Sequence, residues 1–447
     1  MNKARSRELR QKVVCDWLAH NYLNWGNLRH DIVTDRLQIR DYKPTTSPSL
    51  MGGEQSAAQK SFPLGEDLGE ASYWRNLTDK DINTMVCECV HDTLVNVSLT
   101  EMWTALKSNM VPSVHPLRAW LEDLPPYTPD QPDWIDWLSQ HVQVVGGEKA
   151  NQYWRQCFKK WFVAMVASWM KDEVVNHTVL VFVGRQGIFK TTWLDRLIPP
   201  ALHAYSSKLP LSGQITKDDR LRLCENAMLN IDELDAICGR EMNIVKSLLT
   251  STDVNERAAY GRLKEHRVRI ASFCASTNNR EFLTDVTGNR RWLPFEVETI
   301  QNPFHTTLPY EQIYAQAKYL IEQGWFMYWF DLEEIEQLEK HNEEFRVLDN
   351  EEQLLPILFD IPAEGKGEFM TNAEISDHLV SYGNIKKPMS TSRLGILMKR
   401  LGYKNVQVSI SGKSVRGWMV YKRNNEDIIA AKRTGLTIPA SQLSQLY

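Results

Sequence analysis

The sequence predicts an α/β fold, a parallel sheet carrying a phosphate-binding loop, with a mainly helical domain before it and a small basic domain after it. Three stretches carry this reading: Val179-Leu-Val-Phe-Val183 running into Gly184-Arg-Gln-Gly187-Ile-Phe-Lys190-Thr191-Thr192, Ala227-Met-Leu-Asn-Ile231-Asp232-Glu233, and Val268 to Ala275 followed by Ser276-Thr277-Asn278-Asn279. In each, an apolar run ends in polar residues. Buried parallel strands read this way, and their functional groups collect at the carboxyl edge of the sheet.

Residues 1–145 read as an accessory, mainly helical domain. A helix is expected from Arg7 to Tyr22, a strand-like patch over Asp31–Arg40, and a helical pattern from Trp74 to Met110 with Thr78-Asp-Lys-Asp81 as its N-cap. Residues 44–72, rich in Pro, Ser, Gly and Gln, read as a linker or long surface loop. The core is expected over 146–345. It opens on a helix from Glu148 to Met170, whose Trp154, Phe158, Trp161, Met165 and Trp169 recur at three- and four-residue steps and so form a packing face.

Gly184 to Thr192 matches the G-x-x-x-x-G-K-[ST] pattern except at Phe189, where the pattern has glycine; Gly187 can supply the flexibility instead. Gly184, Arg185, Gln186, Gly187, Ile188, Phe189, Lys190, Thr191 and Thr192 can surround phosphate oxygens, Lys190 can reach the β- and γ-phosphates, and Thr191 can hold Mg²⁺. An ordinary strand-to-helix turn that happens to carry a lysine is the alternative. Asp232 can help hold Mg²⁺ and Glu233 can polarise an attacking water, although Asp-Glu after a strand also makes turns and helix caps. The order of the two features favours nucleotide hydrolysis. Asn278 can orient the lytic water or simply make the turn. Arg290 and Arg291, after the Gly288 turn, can offer a guanidinium to a transition-state phosphate or lie on the surface as charge.

Together, Gly184-Arg-Gln-Gly-Ile-Phe-Lys-Thr-Thr192, Asn230-Ile-Asp-Glu233, Arg257-Ala-Ala-Tyr260-Gly-Arg262, Ser276-Thr-Asn278 and Asp285-Val-Thr-Gly-Asn-Arg290-Arg-Trp292 resemble the virulence-associated E family. That family is similar to the superfamily 3 helicases and primase-helicases of phages, plasmids and mobile islands. The resemblance implies an AAA+-like core, ATP and Mg²⁺, and an oligomeric, hexameric ring. It also implies Lys190 and Thr191 on phosphate and metal, Asp232 on Mg²⁺, Glu233 as general base, Asn278 as sensor, and Arg290 or Arg291 acting in trans. Lys264 and His266, between the second and third strands, are the expected DNA contacts of the core, unless they pair with Glu256 and Glu265; Arg257 and Tyr260 can support the nucleotide site. No primase site is visible in the N-terminal part, so a separate primase or replication initiator is the expected partner.

Beyond the core, a helix is expected from Glu311 to Tyr328 and an acidic one from Asp331 to Phe345. Residues 346–424 change character: from Gly383 to Arg423 there are ten Lys and Arg and no Asp or Glu, a patch suited to phosphate contacts. Thr371-Asn-Ala-Glu374 opens one helix, Ser390-Thr-Ser-Arg393 opens a second, and residues 406–421 alternate around Gly412 as a hairpin does. That order resembles a winged helix, with Arg393, Lys399, Arg400, Lys413 and Arg416 facing DNA; a basic protein-docking module is the competing view. Residues 425–447 read as a tail, with a last helical turn over Ile428–Ala431.

Composition limits the classes. Net charge is −4 over 447 residues, so a nucleic-acid partner must be met by local patches. Seven cysteines without a C-x-x-C pair suit buried thiols of a reducing compartment, and no run reaches the roughly 18 apolar residues of a membrane span. The expectation is a cytoplasmic, ATP-dependent DNA helicase or translocase of a mobile element. A nucleotide-gated DNA-binding protein with little unwinding is the alternative.

Overall fold

The computed structural model describes residues 3–40, 74–209, 216–232, 234, 239–256, 265–283, 289–348, 350–362, 367–386, 388–410 and 412–433. The chain divides into two compact units, Met1–Phe345 and Arg346–Tyr447.

The first unit is organised by a six-stranded sheet. Its strands in chain order are β1 (Val142–Val144), β2 (Val179–Val183), β3 (Ser206–Lys208), β4 (Met228–Ile231), β5 (Ser272–Thr277) and β6 (Trp292–Ile300). Their spatial order is β1-β6-β2-β5-β4-β3. β2 lies between β5 and β6, parallel to both, and β3 and β4 extend the parallel set, while β1 closes the far edge antiparallel to β6. Every residue of β2 and β5 is buried, which explains their continuous apolar character: a strand covered on both faces has no polar side to alternate with.

Alternation reappears in the partners. Leu180 and Phe182 of β2 enter one core with Trp154, Phe158, Trp161 and Trp169, whereas Val179, Val181 and Val183 enter another with Leu229, Val245, Leu249 and Phe273. Helices therefore cover both faces. The Gly147–Met170 helix supplies the first core, and its aromatic stripe is fully buried. The Gly239–Thr250 helix supplies the second.

Several boundaries differ from expectation. Beside its helices the N-terminal part carries more strand than the one patch expected: residues 75–76, 36–39, 28–31 and 113–114 form a four-stranded sheet in that order. The expected strand over 31–40 is a hairpin turning at residues 32–35. The Trp74–Met110 pattern splits into Asp79–Thr93 and Leu99–Leu106, because Leu94 takes a left-handed conformation and Ser98 opens a new capping box with Glu101. The helix after the phosphate-loop motif, expected to run to Pro199-Pro200, stops at Asp195. Val268 belongs to a separate hairpin of Asp253–Glu256 with Glu265–Val268, and β5 starts only at Ser272. The 44–72 segment lies outside the described residues. Among the described residues no helix is long and apolar enough to cross a membrane.

The second unit contains helices Asn350–Leu358, Asn372–Gly383, Thr391–Arg400 and Asn425–Arg433, with the hairpin Lys404–Ile410 and Lys413–Lys422. Leu379, Leu394, Leu397, Met398, Trp418 and Val420 form its core. The Thr371–Glu374 capping box forms as read from the sequence, and the single turn expected over Ile428–Ala431 is part of a longer helix.

Candidate functional site

The site is assembled at the carboxyl edge of the parallel strands. Ala275 pairs with Val181 and with Ile231, so Gly184, Asp232 and Asn278, which follow the ends of three strands, come together although far apart in sequence. The Gly184 amide donates to the Thr277 carbonyl at 3.1 Å and fixes the loop's first turn on β5. A Cβ at Gly184 would stand 2.9 Å from the Val297 carbonyl oxygen, and its φ is +151°. Both facts require glycine there.

Phe189 is the N-cap of the Lys190–Asp195 helix and has φ 66°, ψ 19°. The position thus has the left-handed conformation for which glycine is the ordinary residue, and an L-side chain there costs on the order of 1–2 kcal/mol. The ring offsets part of this by packing against the core and lying edge-on to Phe304 at 6.2 Å. Phe189→Gly removes both strain and packing, so stability should change by no more than about 1 kcal/mol in a thermal melt. The loop backbone already has the shape glycine would allow, so nucleotide binding at this loop, if that is its role, should hold or rise; a tenfold loss would show that the ring itself builds the site.

Lys190 is 7% exposed. Its Nζ donates to the carbonyls of Gly184 (2.6 Å) and Arg185 (2.8 Å) and to Oδ1 of Asn278 (3.0 Å). Thr191 Oγ1 donates to Asp232 Oδ1 at 3.1 Å and lies 3.1 Å from Ser276 Oγ, which donates to the same oxygen at 3.0 Å. Lys208 Nζ lies 2.6 Å from Asp232 Oδ2. Burial pushes the Asp232 carboxyl up, but hydrogen bonds from Lys208, Ser276 and Thr191 and the charge of Lys208 outweigh it, and its pKa falls below the ordinary aspartate value. These groups surround a cavity of 360 Å³, lined also by Gln186, Gly187, Phe189, Thr192 and Thr277. Ile188 turns toward the core and Arg185 is exposed.

The chemistry of this donor set suits a phosphate ester and a hard cation. An ammonium buried on carbonyl oxygens is placed to exchange them for phosphate oxygens, and carboxylate with hydroxyl oxygens is what Mg²⁺ takes.

Sequence reading missed Ser276 and Lys208. Ser276 stood inside a quoted motif, but only the strand register shows its hydroxyl between Thr191 and Asp232. Lys208 had no motif at all.

Arg290 and Arg291 are not brought to this cavity. They precede β6, whose Trp292 pairs with Val179, at the amino edge. The five residues of β2 separate that edge from the loop by about 16 Å. There they line a separate 440 Å³ cavity with Thr178, Tyr328, Trp329 and Phe330.

His266 is exposed on the Glu265–Val268 strand with its ring 3.2 Å from Asn255 Oδ1. In the second unit Arg393, Lys399, Lys413 and Arg416 are exposed. Arg400 differs from the expectation that it faces DNA: its guanidinium is paired with Glu352, a buried carboxylate that Arg346 also holds. Glu352 is buried, so its charge is little screened by water and attracts the Arg400 guanidinium inward beside that of Arg346. Glu233, Lys264, Arg257 and Tyr260 lie outside the described residues.

Sheet order and a site at the carboxyl edge are consistent with an α/β nucleotide-binding core. Residues 130–347 match the model of the virulence-associated protein E-like domain. No curated protein matches the sequence. Among solved structures the chain is similar to three apo structures of the NrS-1 C-terminal region. Identities are 11%, 11% and 12% and TM-scores 0.45, 0.41 and 0.41, covering 89%, 88% and 89% of this chain and 97%, 96% and 98% of those chains.

Proposed function

We propose that this chain is an ATP-dependent DNA helicase or translocase of a mobile genetic element, hydrolysing ATP at the subunit interfaces of an oligomeric ring, with six subunits as in the helicases its motifs resemble. The observation that carries this reading is the convergence of Lys190, Thr191, Asp232, Ser276 and Asn278 on one cavity. Lys190 would leave the Gly184 and Arg185 carbonyls for the β/γ-phosphates, and Thr191 with Asp232 would hold Mg²⁺, which when bound neutralises phosphate charge. Asn278, already beside the Lys190 ammonium, would orient water near the γ-phosphate, and Glu233 would accept its proton. Arg290 and Arg291, a strand's length from their own loop, suit a neighbouring subunit's phosphates rather than their own. ATP turnover stimulated by single-stranded DNA and lost in Glu233→Ala is the expected result. Nucleotide binding without turnover would favour the gated DNA-binding alternative.

The basic second unit is read as a winged-helix-like DNA reader. With Arg400 withdrawn, Lys413 and Arg416 on the hairpin and Arg393 and Lys399 on the helix remain its phosphate contacts. Lys413→Ala with Arg416→Ala should weaken duplex binding and flatten the slope of log affinity against log salt by about 2, read by fluorescence anisotropy at several salt concentrations. An unchanged slope would favour a protein-docking module.

A further inference from the structure

Lys208 ends β3, and its pairing with Asn230 sets it beside the carboxylate two residues further on. The two oxygens of Asp232 are engaged differently. Oδ1 accepts from the hydroxyls of Thr191 and Ser276, whereas Oδ2 faces the Lys208 ammonium at 2.6 Å. The Lys208 side chain is 60% exposed and that of Asp232 30%. A flexible, strongly hydrated ammonium that is mostly exposed can swing into water, and a pair open to solvent on one side is weaker than a fully buried one.

Resting on the nucleotide reading above, we propose that Lys208 is a displaceable counter-ion of Asp232, which holds the carboxylate turned toward Thr191 and must leave Oδ2 when Mg²⁺ is taken. Two cations sharing one carboxylate repel each other, so the lysine-paired and metal-loaded arrangements compete. Lys208 is then a positioning residue that sets how much Mg²⁺ the site requires. It shields Asp232 when no metal is bound, and it resists loading at low Mg²⁺.

The test follows binding of a fluorescent ADP analogue to the full chain while Mg²⁺ is titrated, and needs no turnover. Lys208→Met should lower the Mg²⁺ concentration for half-maximal binding by about 3- to 5-fold, and Lys208→Arg, which keeps the cation, should restore wild-type dependence. A structural contact alone would not move this midpoint. An unchanged midpoint in Lys208→Met overturns the proposal, and a raised one overturns it in favour of a lysine that binds phosphate directly. If the wild type binds the analogue at no Mg²⁺ concentration, the nucleotide reading itself fails; if it binds and only the shift is missing, the Lys208 proposal fails alone.

Discussion

On the proposed ATPase reading, Lys190→Ala should lower ATP turnover by on the order of 100- to 1,000-fold, the loss that follows removal of one charge that stabilises a transition state. In the structure this ammonium is buried and held by two loop carbonyls and Asn278, so its charge is kept beside the cavity until phosphate oxygens replace the carbonyls. Alanine leaves those carbonyls at the mouth of an open cavity, with Arg185 exposed and Gly184 half-buried, where water can reach them. The thermal midpoint should therefore stay within about 2 °C of wild type, which separates a lost charge from a lost fold. A steady-state assay beside a thermal melt checks both.

Arg269→Met destabilises the first unit by about 3–5 kcal/mol, a fall of roughly 5–10 °C in thermal midpoint. Arg269 has no exposed surface. Its Nε donates to the Ala271 carbonyl, Nη1 to those of Leu248, Leu249 and Ser251, and Nη2 to that of Asn176. The guanidinium also lies over the Phe273 ring at 5.0 Å. Burial lowers its pKa to about 9, so it is charged at neutral pH. Sitting at the end of the Gly239–Thr250 helix, it meets the negative end of the helix dipole and ties that helix to β5 and to the approach to β2. Methionine fills the space but leaves several buried carbonyls without a donor. Differential scanning calorimetry reads the effect, and a change under 1 kcal/mol would mean that water or a neighbour replaces the guanidinium.

What was legible in the sequence was local. The runs at Val179 and Ala227, the Lys190-Thr191 step, the Thr371–Glu374 cap and the aromatic stripe from Trp154 to Trp169 each carry their signal within a single helix, turn or strand. What was not legible depended on register between distant segments. Lys208 meets Asp232 only because β3 pairs with β4, and Arg400 turns inward only because Glu352, 48 positions earlier, is buried beside it. The small N-terminal sheet was hidden for the same reason, since two of its strands are two residues long and too short to alternate. Phe189 shows the converse. Motif reading marked it as a departure, and the backbone shows the loop taking its left-handed turn with the wrong residue in place.

In the proposed motor, nucleotide hydrolysis at this carboxyl-edge site drives movement along DNA. Strand displacement on forked DNA, with ATP and beside the Lys190→Ala protein, tests it most directly. Displacement is expected to require ATP and to disappear in Lys190→Ala. ATP turnover without displacement on either fork polarity, or displacement that survives Lys190→Ala, would contradict it.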